Sequence, residues 1–445
     1  MNIPEMMDKL RNRRDVEQAP AAAPAEEIGS GSRVTLRLPT RKMTFTGLDI
    51  GTTKIVCIIG EIEPNGQVTV LGVASTPSLG LRRGVVINLD ETVDSIRVAM
   101  RKAEDIARVS VRDVFVGIAG GHIQCQQLTA TVDVSNPERG VTRSDVRRAI
   151  EKSLENQVPL DREVLHQIPQ RFFIDDGPIM DPIGFCSRKL SVEVMLVTAA
   201  VTSAQNIIRA VSQAGYRVAG IYLEPLASSL AVLSQEEKEL GVMMVDIGGG
   251  TSDIAIYTDA SVRYTGVVPY GGDAITEDVS KGLQVTRYDA ENLKKRFGHC
   301  VPGSIDAADM LQVPAALSNK QIAHPRRFLA EIIESRLEEM LVMVKKKAEA
   351  VPCYNEVYGG VIFTGGASLQ QGICELGEKV FGKPCKVGTP MGLSGLSSVV
   401  SSPIYSTGVG LVLYGLEHER EQAYLDGNAF NRLVKRFRSF IDWYG

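Results

Sequence analysis

A chain of 445 residues is too long for one compact core and implies on the order of two to four domains. Apolar residues make up 44% and charged residues 23%, so the chain can bury a core and wholesale disorder is excluded. The net charge of −4, from 49 basic and 53 acidic side chains, offers no basic field to a phosphate backbone, which argues against nucleic acid as a partner.

Residues 1–42 are charged, rich in Ala and Pro and without sustained periodicity, and read as a disordered, solvated arm. The start of the chain lacks an apolar signal region and no stretch is long enough to span a bilayer, so the protein is expected to be neither secreted nor transmembrane. The seven cysteines form no C-x-x-C pair and read as buried thiols of a reducing cytoplasm.

From Met43 onward, apolar strands alternate with helical stretches, the pattern of an α/β architecture. Apolar residues over 45–59 and 68–74 predict an early strand pair joined through Pro64-Asn65-Gly66, a tight-turn signal. Asp90 is read as the cap of a helix carrying Val93, Ile96, Met100, Ala103 and Ile106 at helical spacing.

The chain also repeats itself. A hydrophobic strand ending in Asp49-Ile50-Gly51, a Thr52-Thr53-Lys54 turn and a second hydrophobic strand recur roughly two hundred residues later as Asp246-Ile247-Gly248, Gly249-Gly250-Thr251 and a strand starting near Asp253. Two related lobes, with a nucleotide between them, would account for this. Small residues at such a turn let backbone N–H groups approach an anion, and Thr hydroxyls add donors. A carboxylate beside phosphates requires a cation between them, which makes Asp49 and Asp246 candidates for directing Mg2+ through its waters. Either turn alone is better explained as a plain hairpin; two in register with matching aspartates are not.

Three further features are weaker. Thr364-Gly365-Gly366-Ala367-Ser368 reads as a strand running into a helix that starts near Ser368, a place for a phosphate or a flat base. Glu224-Pro225 puts a carboxylate at or near a helix N-cap, able to orient a water for attack on a γ-phosphate or simply to stabilise that terminus. A helix over 288–297 presents Glu291 and Lys294 on one face, a spacing typical of surface ion pairs. Gly271-Gly272-Asp273 marks a turn before another helix.

Near the C-terminus, residues 417–428 are polar and acidic and read as a linker that spans at most roughly 40 Å if extended. Phe430, Leu433, Val434, Phe437, Phe440, Ile441 and Tyr444 then share one helical face, opposite Arg432, Lys435, Arg436 and Arg438, with Trp443 nearby. A basic amphipathic helix with large aromatic groups reads as an interfacial membrane anchor; docking on the protein's own core is the competing reading.

Taken in order, these motifs resemble the actin and heat-shock-chaperone ATPase superfamily. Residues 49–54 match its first phosphate turn, Glu224-Pro225 its first connector, residues 246–253 its second phosphate turn and residues 364–368 its adenosine loop. Within it, residues 44–444 resemble the FtsA family of bacterial cell-division proteins, through residues 48–54, 245–257, 268–273, 324–339 and the tail.

The resemblance implies an actin-like two-lobe ATPase fold in which a family-specific 1C subdomain replaces 1B, followed by the amphipathic helix. Subdomain 1A would comprise residues 43–117, 198–227 and 401–416, 1C residues 118–197, 2A residues 228–273 and 345–400, and 2B residues 274–344. A linker over 417–428 and a membrane-targeting helix over 429–445 would complete it. MgATP would be held by Asp49, Gly51, Thr52, Thr53, Lys54, Asp246, Gly248, Gly249, Gly250, Thr251, Gly365, Gly366 and Ala367. Glu291 and Lys294 would lie at the ribose and adenine, and Glu224 would be the catalytic carboxylate, with hydrolysis weak or regulatory.

The resemblance further implies capture of the FtsZ C-terminal peptide by 2B through Arg326, Arg327 and Arg336, self-assembly into a filament, contact with later division proteins, and a peripheral place on the cytoplasmic face of the inner membrane at the septum. A small-molecule kinase on the same core, or a pilus or rod-shape scaffold, is the alternative; no substrate-pocket motif supports the kinase.

Overall fold

The computed structural model describes residues 42–63, 67–155, 157–175, 177–314 and 321–426. The arm expected over 1–42, apart from Lys42, the Pro64-Asn65-Gly66 turn and the helix expected over 429–445 lie outside the described residues.

The chain opens with β1 (Met43–Ile50), β2 (Lys54–Ile62) and β3 (Val68–Pro77), followed by a small hairpin of β4 (Leu81–Arg82) and β5 (Val85–Val86), helix α1 (Leu89–Ala107) and β6 (Asp113–Ile118). The run 45–59 is thus two strands, interrupted by the Gly51-Thr52-Thr53 turn. In β2, Ile55, Val56, Ile58, Ile59 and Ile62 are all buried, as expected of a β-branched strand covered on both faces. Helix α1 is capped by Asn88, whose side chain accepts from Glu91 N, rather than by Asp90, which sits in the first turn and favours the helix dipole. Of its expected core face, Val93, Ile96, Met100 and Ala103 are buried, whereas Ile106 is exposed.

Next come β7 (Gln124–Asp133), α2 (Arg143–Ser153), β8 (Arg162–Ile174), β9 (Gly177–Ile179) and β10 (Lys189–Ala200), which form their own sheet in the order β7-β10-β8-β9. The long β8 was not legible because its polar and apolar residues do not alternate, and most of its side chains are half-buried. The chain then returns through α3 (Val201–Gln213), β11 (Arg217–Leu223) and α4 (Glu224–Val232).

After α5 (Gln235–Leu240), the second lobe contains β12 (Val242–Ile247), β13 (Ser252–Thr258), β14 (Ser261–Val268), α6 (Gly272–Leu283), α7 (Arg287–Phe297), the hairpin β15 (Met310–Pro314) and β16 (Gln321–Pro325), α8 (Arg326–Glu349), β17 (Val361–Thr364), α9 (Ile373–Phe381) and β18 (Cys385–Val387). The chain returns through β19 (Leu393–Gly395), α10 (Ser397–Val400) and α11 (Ser406–Asp426). Helix α11 therefore continues through ten residues expected to be linker, covering about 15 Å there instead of the longer reach of an extended chain.

The internal repeat is a repeat of topology. The first large sheet runs β11-β6-β1-β2-β3-β19 and the second β14-β13-β12-β17-β18. In each, an antiparallel three-strand meander is extended on its first strand by parallel neighbours, β6 and β11 in one lobe, β17 and β18 in the other. Asp49 ends β1 opposite Val56, and Asp246 ends β12 opposite Asp253.

One apolar core draws on both sheets, joining Val56, Ile58 and Phe115 to Val242, Met244 and Tyr257 through α4 and α11. These two helices cross so closely that a Cβ at Gly410 would collide with the backbone of Ala227. All seven cysteines are free; Cys57 and Cys300 are buried as expected, but Cys186 is exposed and the other four are half-buried. No helix of the described residues is long and apolar enough to cross a membrane.

The α4–α11 crossing yields a stability test. Gly410→Val should destabilise the fold by about 1–3 kcal/mol or more through overpacking, read as a lower thermal midpoint, whereas Gly303→Ala, at a glycine with open space around it, should leave the midpoint unchanged.

Candidate nucleotide site

The strand-ending aspartates and the turns after them meet at the junction of the lobes. Gly250 approaches Thr52 so closely that a Cβ there would lie 2.6 Å from Thr52 Oγ1, and a Cβ at Gly249 would collide with Thr53 Oγ1. The second turn is held in shape by Gly248 N donating to Thr251 O at 3.0 Å, and is braced from α6 by Gly272 N to Gly248 O at 2.9 Å and Asp273 N to Gly249 O at 2.8 Å. Glycine at these positions leaves the backbone uncovered where the turns face each other.

Asp49, Asp246 and Asp253 are all under a tenth exposed. Burial pushes the Asp49 carboxyl up to about 6, with Lys54 opposing and Asp246 adding to the rise. Burial, with Asp246 beside it, pushes Asp253 up to about 8, while the Thr251 hydroxyl donating to Oδ2 at 3.0 Å opposes the rise. Its Oδ1 has no partner. Glu224, first residue of α4, is half-buried; its side chain crosses Gly117 of β6, where a Cβ would lie 2.8 Å from its Cγ. Its carboxyl is raised well above the ordinary range by desolvation and by Asp49, Asp253 and Asp246.

Asp246 is raised by burial but is the best-supported carboxylate of the group, since Ser228 Oγ donates to Oδ2 at 2.6 Å and Thr407 Oγ1 at 3.3 Å. Lys54, the amine facing this cluster, has its own pKa lowered by burial. Its Nζ donates to Ile404 O at 2.6 Å and lies 5.6 Å from the Tyr405 ring centre. Four crowded carboxyl groups against one amine, one oxygen of them unsatisfied, form a donor set suited to a cation. Among the described residues no three His, Cys, Asp or Glu side chains converge as a metal cage.

The adenosine-loop residues adjoin the same place. Gly365 has a φ of +83°, and a Cβ there would run into the Asp246 carboxylate. Residues Gly366–Leu369 form a short 3-10 turn, and the α-helix begins only at Ile373, four residues beyond Leu369, so the helix expected near Ser368 is displaced. The Ser368 hydroxyl bonds back to Gly365 O at 2.7 Å, which stabilises the turn in place of a helix start. A Cβ at Gly272 would lie 3.4 Å from both Ala367 Cβ and Lys294 Nζ.

Glu291 and Lys294 do not form a solvated surface pair. Their 2.6 Å ion pair leaves the Lys294 side chain 10% exposed, and its Nζ also donates to Gly272 O at 2.9 Å and Thr276 Oγ1 at 2.8 Å. Although burial opposes it, the Glu291 carboxyl is held down to about 2 by Lys294, Thr276 and Lys295. Asp253, Ser228 and Thr407 were assigned no role from sequence; the repeat exposed Asp253 as a position, but the hydroxyls gave no signal because their partner is distant in the chain.

The three arginines expected to share one peptide surface are not brought together. Arg326 donates to Phe297 O at 2.9 Å and pairs with Asp309 at 3.1 Å, and Arg327 pairs with Glu331 at 3.5 Å. Arg336, nine residues from Arg327, lies on the opposite side of α8, about 180° around it. It pairs with Asp278 of α6 at 2.5 Å and with Glu339 at 2.6 Å, and borders an open groove of about 430 Å³ that Phe328, Ile332 and Lys281 also line.

The raised Asp253 carboxyl predicts a pH dependence. The native state holds its proton up to about pH 8 while the unfolded chain releases it near the ordinary value, so this group's contribution to stability falls as pH rises through that window. Asp253→Asn should therefore raise the thermal midpoint of the nucleotide-free protein, most at pH 8 and progressively less toward pH 4.

Comparison with known proteins places this site in a family. A family model described as Cell division protein FtsA matches residues 243–410, and one described as SHS2 domain inserted in FTSA matches residues 120–198. The chain is 38% identical to the cell division protein FtsA of Pseudomonas aeruginosa over 378 residues, covering 85% of this chain and 90% of that protein. It is 36% identical to that of Borreliella burgdorferi, covering 88% and 93%, and 35% identical to that of Escherichia coli K12, also covering 88% and 93%.

Among solved structures it superposes on a PilM-PilN type IV pilus biogenesis complex with a TM-score of 0.62 at 16% identity, covering 84% of this chain and 99% of that one. It superposes on MreB5 of Spiroplasma citri bound to ADP with a TM-score of 0.52 at 13% identity, covering 87% and 99%. At these identities the likeness is one of fold, an actin-like two-lobe fold carrying an inserted SHS2 domain. The kinase and the pilus or rod-shape scaffold give way to the sequence relationship: the chain belongs to the FtsA family of cell division proteins.

Proposed function

We propose that this protein is an ATP-binding, self-assembling adaptor that tethers the FtsZ ring to the cytoplasmic face of the inner membrane and helps recruit later division proteins at the septum. The observation that carries the nucleotide part is the meeting of two glycine turns, each led by a buried aspartate, around a carboxylate cluster short of positive charge. ATP would lie with its phosphates between residues 51–54 and 248–251 and its adenosine beside Gly365, Gly366, Ala367, Glu291 and Lys294. Asp49 and Asp246 would direct Mg2+, which supplies charge neutralisation of the phosphates when bound. Glu224, with a raised proton affinity and a place in the same cluster, is suited to accepting a proton from a water.

In subdomain terms, the sheet within residues 118–197 corresponds to 1C and the α6–α8 region within 274–344 to 2B. The FtsZ peptide would use the groove between α6 and α8. Phe328 and Ile332 give it an apolar wall; Arg336 and Lys281 line it together with Asp278, Glu331 and Glu339, so an acidic, apolar peptide would have to draw Arg336 from its pairs with Asp278 and Glu339. Of the three arginines only Arg336 lines this groove; Arg326 pairs with Asp309 and Phe297 O, and Arg327 lies on the far side of α8. The membrane anchor is the amphipathic segment of Phe430, Leu433, Val434, Phe437, Phe440, Ile441, Trp443 and Tyr444. One such helix is a modest anchor, and a filament would add avidity.

Vesicle flotation with FtsZ tests the adaptor directly. Wild type should carry FtsZ up with anionic vesicles; Phe437→Glu should leave both proteins in the dense fraction, and Arg336→Glu should float without FtsZ. Flotation of FtsZ undiminished by Arg336→Glu would remove the groove from the reading, and flotation of Phe437→Glu equal to wild type would remove the tail.

A further inference from the structure

The β4–β5 hairpin, to which no function has been attached, reaches the phosphate end of the site. Its tip is Arg83-Gly84, with φ of +50° and +77°. Glycine adopts that region freely, but for Arg83 it is an uncommon conformation that the surroundings must hold in place. They do so from two sides: Gly84 N donates to Thr52 Oγ1 in the first phosphate turn at 3.2 Å, and Gly84 is wedged so tightly against Ala119 at the end of β6 that a Cβ would collide with its carbonyl. The approach to the hairpin is tied to the same turn by Ser78 N to Thr53 O at 3.0 Å.

From this pinned tip the Arg83 side chain crosses to the other lobe, where its guanidinium carbon lies 5.4 Å from the centre of the Tyr270 ring. Tyr270 belongs to the second phosphate site. Its carbonyl accepts from Ser252 Oγ at 2.8 Å, just after the second turn, and it precedes the Gly271-Gly272 step that braces Gly248 and Gly249. Among the described residues no carboxylate pairs with Arg83. An exposed guanidinium on a hairpin tied to the first turn thus rests on an aromatic residue tied to the second, an aromatic face that leaves its N–H donors unspent.

We propose that Arg83 is a specificity-determining residue of the nucleotide site, donating to the terminal phosphate of a nucleoside triphosphate. This rests on the nucleotide reading given above. The hairpin is tied to Thr52, in the turn that faces Gly249 and Gly250, whereas the base and ribose are placed beside Lys294 and Ala367. A diphosphate occupying the same site would lack the group that Arg83 engages.

Calorimetric titration of ATP and of ADP, each with Mg2+, into wild type, Arg83→Gln and Arg83→Lys tests this, with circular dichroism confirming that each variant is folded. Losing charge-assisted hydrogen bonds to the terminal phosphate should weaken ATP binding by about tenfold to a hundredfold in Arg83→Gln, leave ADP binding within about twofold, and be partly restored in Arg83→Lys. Equal weakening of ATP and ADP would reduce Arg83 to a lobe-to-lobe contact and overturn the proposal, as would unchanged affinity for both. Wild type that binds neither nucleotide would overturn the nucleotide reading itself, and the proposal with it.

Discussion

The architecture turns on an excess of buried negative charge at the meeting point of two sheets. Asp49, Asp246, Asp253 and Glu224 are drawn together by the ends of β1 and β12 and by the start of α4, with Lys54 as the amine facing them. Desolvation raises each carboxyl above its ordinary range, and repulsion from neighbouring carboxylates adds to the rise at Asp49, Asp253 and Glu224, so without a cation the cluster is stabilised by holding protons. On the proposed reading a metal–phosphate ligand would relieve this repulsion, and its binding energy would then be coupled to the arrangement of the groups that repel one another.

Asp246 shows how that coupling could leave the site. Its carboxylate accepts hydroxyls from Ser228 on α4 and Thr407 on α11, the two helices that cross at Ala227 and Gly410. The same two hydroxyls lie 3.0 Å from each other, so one carboxylate and two side chains tie the second lobe to both crossing helices. Helix α11 continues to Asp426, toward the segment read as the membrane anchor. Nucleotide site, lobe junction and the path toward the tail therefore share one hydrogen-bonded node, built in a close-packed core where a small shift is not absorbed locally.

Much of this was legible in the sequence because it is written locally. The strand-turn-strand repeat, with Asp49 and Asp246 in equivalent positions, carried the two-lobe architecture, and the structure extends it to whole-sheet topology. The glycines at 249, 250 and 365 announced a close approach without naming its partner. What stayed hidden depends on distant chain segments: the hydroxyls on Asp246, the burial that converts Glu291–Lys294 from a surface pair into a wall of the cleft, and the Arg83–Tyr270 contact between lobes. Errors of a different kind arose where two local rules competed. Asn88 outranked Asp90 as a cap, Ser368 closed a turn instead of opening a helix, and residues 417–426 continued α11 although their polarity suggested a linker. Three arginines close in sequence were spread around one helix by its own geometry.

If the repulsion within the carboxylate cluster governs binding, a triphosphate should be accepted far better together with a cation than without one. Titration of ATP into the nucleotide-free protein, once with Mg2+ and once with a chelator, addresses it without any mutation. ATP should bind at least about tenfold more tightly with Mg2+, since the phosphates otherwise add negative charge to an already repulsive site. ATP affinity that is the same, or higher, in the chelator would contradict it.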